Sequence, residues 1–296
     1  MSLPKKNILV TGANGLIGFE LIQNLISKGF NVYALSHSAP NTSLPASGLL
    51  HYIHADLSKD WDVGILPAQI DIIYHLAQSE HFRDFPEKAI EVFNVNTAST
   101  LKLLNYAVKA SCKKFVYASS GGIYGNSDKG FTEDTPINFS NDLGFYFSTK
   151  VNSEILASNY NKFFDVIITR FFFVYGKRQN KSMLIPRLVT NISTGTTITL
   201  NGNDGIKINP IHVSDAANAL SAVVNTSGSH VFNIGGSEIL SFREICTTIG
   251  ALVNNEPVFK ILDAEVKHLI GDISKMSQQL YLPKVSFKQG VSELID

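Results

Sequence analysis

The 296-residue chain has only two cysteines, Cys112 and Cys246, and a single tryptophan. Two cysteines so far apart give no disulfide framework and fall short of the ligand count of a structural zinc site. A reducing, cytoplasmic setting is the resulting expectation, with no metal. An excess of one charge is also lacking, since 25 Lys and Arg balance 25 Asp and Glu. Nucleic-acid binders cluster basic residues on one face, so no nucleic-acid partner is expected. No apolar run approaches the roughly 20 residues of a membrane-spanning helix; Phe171–Tyr175 is among the longest. Met1–Lys6 leads straight into a β-branched stretch, without the small-residue cleavage site of a secretory leader. Internal repeats and low-complexity tracts are missing too.

The hydrophobic fraction of 44% is ordinary for a globular protein, and the length suits one large domain or two lobes. Asn7–Thr11 reads as a short buried strand, followed at once by Gly12, Gly15 and Gly18. Ile17, Leu21, Ile22, Leu25 and Ile26 then share one helical face, Gly29 ends that helix, and Asn31–Ser36 is a second strand. In this strand, glycine turn, helix, strand context, the glycines let backbone approach a pyrophosphate at the helix N-terminus. Gly12, Asn14, Gly15, Leu16, Ile17 and Gly18 are therefore candidate dinucleotide contacts. A carboxylate after the second strand would hold the ribose hydroxyls of NAD, and an arginine would accommodate the extra phosphate of NADP. Ser36 and His37 stand there instead, so NAD is expected and NADP stays open.

Further strands are expected at Leu50–Ala55, Asp71–Ala77, Lys113–Ser120 and Asp165–Gly176, with helical segments between them. Six alternating strands predict an α/β fold with a doubly wound, Rossmann-type parallel sheet. The expected division is a dinucleotide-binding domain at 1–176 and 207–233, and a smaller substrate-binding lobe at 177–206 and 234–296. His75, inside an apolar run, reads as a core histidine. Tyr146 and Lys150, four apart, fall on one face of a helix. An ammonium beside a phenol favours the phenolate, which would let Tyr146 take a hydroxyl proton below the usual tyrosine pKa of about 10.

Ser119-Ser120-Gly121-Gly122-Ile123-Tyr124-Gly125, followed by Tyr146-x-x-x-Lys150, resembles the extended short-chain dehydrogenase/reductases of the NAD-dependent epimerase/dehydratase family. Arg170–Gly176, Ile211–Ala217 and Val231–Gly236 continue the resemblance over nearly the whole length. It implies Ser120, Tyr146 and Lys150 as the catalytic group, with Tyr146 and Lys150 also at the cofactor. It adds Asp56, Leu57, Leu76, Ala77, Gln78, Asn96, Ser119, Phe173 and Val174 as cofactor contacts. Gln78, Ser120, Gly121, Tyr146, Phe173, Arg187 and Lys207 are the implied substrate contacts, and paired helices at 86–110 and 145–162 imply a homodimer.

Three departures shape the expected activity. Phe173 replaces an asparagine that contacts a diphosphate in sugar-nucleotide epimerases, and Ile208 replaces an arginine. Gly121-Gly122 replaces the Asp-Glu pair of the dehydratases, which argues against dehydration. The expectation is epimerisation of a sugar, of the nucleotide-linked class, through a transient keto intermediate. A reductase or dehydrogenase acting on a sugar or other carbonyl is the first alternative, and a non-catalytic dinucleotide-sensing protein is one of another class.

Overall fold

The computed structural model describes residues 5–41, 43–44, 46–139 and 143–295, so Met1–Pro4 of the opening stretch lie outside it. Strand β1 (Asn7–Thr11) is buried at four of its five positions, as its apolar run requires in a sheet covered on both faces. It pairs in parallel with β2 (Asn31–Ser36) and β4 (Ile72–His75), so that Ile8 lies between Val32 and Ile72. In the same way β2 pairs with β3 (Leu50–His54), and β4 with β5 (Lys114–Ser120). Strand β6 (Asp165–Phe171) and a strand at His230–Ile234 complete the sheet. The order is His230–Ile234, β6, β5, β4, β1, β2, β3, a Rossmann-type arrangement of seven strands rather than six.

The chain winds outward from β1 to β3 and then returns to β4 on the other side of β1. That reversal opens a crevice past the carboxyl ends of β1 and β4, where ligands bind in such sheets. Helix α1 (Leu16–Ser27) follows β1 and buries Gly18, Phe19, Leu21, Ile22 and Leu25. The helical segment expected at 86–110 is interrupted. It comprises α2 (Ala89–Phe93), a π turn at Asn94–Ala98 and α3 (Ser99–Lys109). The widened turn has a visible partner set, because the Asn96 carbonyl accepts the hydroxyls of Thr100 (2.6 Å) and Ser153 (2.8 Å). Ser153 belongs to α4 (Gly144–Ser158), which packs with α3 over a core containing Leu103, Leu104, Phe115, Tyr117, Ala157 and Ile168.

The chain divides into two compact units, one of 1–123, 138–170 and 220–232, the other of 124–137, 171–219 and 233–296. Segments 124–137, 171–176 and 207–219 and residue 233, expected in the dinucleotide-binding part, thus group with the second unit. Within that unit, helices Leu184–Ser193 and Phe242–Val253 bury Leu188, Ile192, Ile245 and Ile249 together. A reciprocal Ser241–Glu244 capping box starts the second of these helices. Among the described residues, no helix is long and apolar enough to cross a membrane.

Candidate active site

The crevice at the end of β1 is a cavity of about 640 Å³. Of the residues expected at a dinucleotide, Gly12, Asn14, Gly15, Ser36, His37, Asp56, Leu57, Leu76, Ala77 and Gln78 line it. Gly12 sits at φ +68°, and a Cβ there would lie 2.8 Å from the Ala77 backbone nitrogen. Only glycine allows both the left-handed turn and that backbone approach. Leu16, Ile17 and Gly18 do not line the cavity. Leu16 and Ile17 open α1, while Gly18 packs so closely on the Gly12 carbonyl that a side chain would collide with it. The Asn14 Oδ1 is buried in this turn without a hydrogen-bond partner. A glycine cradle with an orphaned acceptor fits the polar backbone of a dinucleotide.

Helix α4 brings the second set of residues to the same end of the sheet. Lys150, 2% exposed, donates from Nζ to the Ala118 carbonyl of β5 at 2.8 Å. One turn earlier, the Phe147 ring rests on Gly122 so tightly that any side chain at 122 would displace it. These contacts, to residues 118 and 122, bracket Ser120. The Ser120 Oγ accepts the Gly122 N–H at 3.2 Å, which leaves its hydroxyl proton uncommitted by that bond. Gly121 is buried beside it. The Tyr146 phenol donates to Gln78 Oε1 at 2.7 Å, tying the reactive turn to a side chain that lines the cavity. The Phe82 and Phe147 rings flank Tyr146, each at 5.0 Å between ring centres.

The electrostatics correct one expectation. Burial raises the Tyr146 pKa above the usual tyrosine value instead of lowering it. Lys150 Nζ donates to the Ala118 carbonyl and lies 5.8 Å from the Tyr146 ring centre, so its charge stands beside the ring without overriding the effect of burial. Desolvation in turn lowers Lys150 to about 7, opposed by the negative charge of Glu154 one turn along α4. Glu154 is held in a buried two-point ion pair with Arg170, at 3.1 Å and 2.7 Å.

Asn96 does not line the cavity. Its Oδ1 accepts the Ser79 N–H (3.2 Å) and its Nδ2 donates to Thr149 Oγ1 (3.0 Å), whose hydroxyl donates to the Tyr146 carbonyl (2.7 Å). Asn96 therefore fixes the turn of α4 that carries Tyr146. His75 is a fully satisfied core histidine. The Thr100 hydroxyl is committed to the Asn96 carbonyl, so its oxygen accepts from His75 Nε2–H at 3.0 Å. His75 Nδ1 is then the acceptor for the Thr11 hydroxyl at 2.7 Å, and Thr11 Oγ1 receives the Ala77 N–H at 3.2 Å. Burial first, and Lys150 second, push the imidazole down to about 3. Ser119 is buried with an unpartnered Oγ and does not line the cavity.

Phe173, Val174, Arg187 and Lys207 belong to the second unit. Phe173 adopts φ +48°, a left-handed backbone that suits asparagine and strains a bulky residue. Arg187 and Lys207 are exposed, on a helix and a short strand, and Ile208 is fully buried.

Sequence reasoning missed Thr149 and Phe147. Thr149 had a readable signal, since a threonine three residues after Tyr146 can hydrogen-bond back to its carbonyl. Phe147 had none, because ring packing across separate segments carries no sequence period.

The NAD dependent epimerase/dehydratase family model matches residues 8–235. A solved structure of UDP-glucuronic acid 4-epimerase from Bacillus cereus, in complex with UDP-glucuronic acid and NAD, superimposes with a TM-score of 0.85. It is 28% identical and covers 97% of each chain. UDP-N-acetyl-alpha-D-glucosaminuronate decarboxylase of Bacillus cytotoxicus is 26% identical, over 98% of this chain and 97% of the relative. The dTDP-D-glucose 4,6-dehydratase of Mus musculus is 28% identical over 84% of this chain and 73% of its own. The chain belongs to the NAD dependent epimerase/dehydratase family.

Proposed function

We propose that this chain is an NAD-dependent epimerase of a nucleotide-linked sugar, working through a transient keto intermediate. One observation carries the reading: Lys150 on Ala118 and Phe147 on Gly122 hold the Tyr146 turn across Ser120, while Tyr146 is hydrogen-bonded to cavity-lining Gln78. The kinship with a UDP-sugar 4-epimerase that binds NAD supports the substrate class and the cofactor. In this reading Gly12, Asn14 and Gly15 hold the dinucleotide, and its nicotinamide accepts a hydride from the sugar carbinol and returns it. Tyr146 takes the carbinol proton and gives it back. Ser120 donates its hydroxyl proton to the reacting oxygen. Lys150, fixed on Ala118, supplies positive charge behind the phenol and a hydrogen bond to the nicotinamide ribose.

With the dinucleotide bound, its positive nicotinamide ring would add charge beside the phenol, so the raised pKa of Tyr146 is that of the protein without it. Gly121 and Gly122 offer no acid or base, and Phe147 fills the space a side chain at 122 would need, which disfavours dehydration. The test is isomer analysis of UDP-, GDP- and dTDP-linked sugars after incubation with the purified protein. A 1:1 drift between two epimers without net NADH is the expected result, and net NADH consumption would make the chain a reductase instead.

A homodimer through the helical segment 86–110, with α2 and α3, and through α4 belongs to the same proposal. Ile90, Phe93, Leu101 and Val108 are exposed at helical spacing, and Ile155 is exposed on α4. Leu101→Glu with Ile155→Glu should halve the mass measured by light scattering. A cytoplasmic setting is supported by two free, buried thiols.

A further inference from the structure

As a base that later returns its proton, the Tyr146 phenol must exist in two protonation states, and one of them has its partner in view. The neutral phenol donates to Gln78 Oε1 at 2.7 Å. A phenolate has no proton to give and needs donors instead. Among the described residues, no N–H or O–H donates to this oxygen. On α4, Lys150 donates to the Ala118 carbonyl and lies 5.8 Å from the Tyr146 ring centre. On β5, burial raises the pKa of Tyr117 and holds it neutral. The Arg83 guanidinium stacks on the Phe82 ring, 4.8 Å from its centre. A buried ionised group without donors is costly, and burial is what raises the Tyr146 pKa.

The missing donor sits at the other end of the same amide. Oε1 and Nε2 are two ends of one planar group, and the terminal torsion of glutamine is broad and two-fold, so half a turn exchanges them in place. Gln78 is exposed, and its bond to Tyr146 is the hydrogen bond its amide makes among the described residues. The phenol itself stays put. Thr149 Oγ1 holds the Tyr146 carbonyl at 2.7 Å, and the Phe82 and Phe147 rings flank it at 5.0 Å. An N–H bond to an anionic oxygen is roughly twice as strong as a neutral one, so the exchange favours the phenolate.

We propose that Gln78 is the proton-state partner of Tyr146: its amide accepts from the neutral phenol and, turned over, donates to the phenolate. The amide gains and loses no proton; the carbinol proton passes to the phenolate as the hydride leaves for the nicotinamide. The inference rests on the reading of Tyr146 as the base. Tyrosinate absorbance of the full chain with saturating NAD+ tests it, titrated from pH 6 to pH 11 and read against the same chain carrying Tyr146→Phe. Gln78→Met, of similar reach and without either bond, should raise the Tyr146 midpoint by about half a unit to one unit. Gln78→Glu, an acceptor at both ends, should raise it by about one unit or more. A methionine variant whose midpoint stays or falls overturns the inference, since the amide then serves only the neutral phenol. So does a glutamate variant with an unchanged midpoint. Absence of any Tyr146 titration in the wild type up to pH 11 is a separate result, which overturns the reading of Tyr146 as the base and the inference with it.

Discussion

The Gly12–Gly18 turn and the Tyr146–Lys150 turn serve one crevice by different means. At the glycine turn the backbone makes the site: φ +68° at Gly12 and contact distances between main-chain atoms leave side chains little to decide. At the tyrosine turn the backbone is an ordinary helix and the side chains make the site. There, burial shifts Tyr146 up and Lys150 down, and a second layer of Asn96, Thr149 and Glu154 holds both in place. Backbone geometry follows from residue type at fixed spacing. Side-chain protonation follows from which distant segments exclude water, and two sites of equal importance therefore differ in how they can be damaged.

The sharpest way to break the comparison is Tyr146→Phe. Turnover should fall by about 10²–10⁴-fold while NAD+ affinity, measured by calorimetry, stays within about twofold. Equal losses in both would mean the phenol serves binding and not chemistry. Next is Glu154→Ala, which removes the two-point carboxylate partner of the buried Arg170 guanidinium. A loss of about 3–5 kcal/mol in urea unfolding is expected, and Glu154→Ala with Arg170→Met should recover much of it.

Gly12→Ala should reverse the pattern of Tyr146→Phe. The left-handed turn alone costs about 1–2 kcal/mol, the new Cβ meets Ala77, and dinucleotide affinity should drop along with the melting temperature. The smallest effect concerns pH. Lys150 binds its proton with a pKa of about 7 in the folded chain and near 10.5 when unfolded. Between these values the unfolded chain holds the proton and the folded chain does not, so this group makes the fold more stable as pH rises through that window. Below pH 7 both states are protonated and the contribution is flat. Urea unfolding at pH 7 and pH 9 should show a gain in the wild type that Lys150→Met lacks; an equal gain in both would remove Lys150 as its source.

The legible parts of this protein were those with short-range signatures. β1, the glycine turn, α1 and β2 are contiguous, and their types follow from apolar runs and glycine spacing. The strand at His230–Ile234 was harder to place, because five residues after a loop do not announce which sheet they join. The π turn at Asn94–Ala98 was invisible for a related reason. It depends on the Ser153 hydroxyl, 57 positions away from Asn96. Ser120, Tyr146 and Lys150 were legible as residues and as a family pattern, but the Tyr146–Gln78 bond and the Phe147 ring on Gly122 were not.

By itself the sequence determined the doubly wound sheet and the glycine turn after its first strand, because residue type and spacing along one chain suffice for these, and family resemblance offered the hydroxyl, phenol and amine as candidates. Only the tertiary structure decided that Lys150 donates to the Ala118 carbonyl, that Asn96 acts through Thr149, and that Asn14 donates to the Ser38 hydroxyl. Each of those outcomes is a competition for hydrogen-bond partners between segments distant in sequence, and the competitors meet only when the chain has folded.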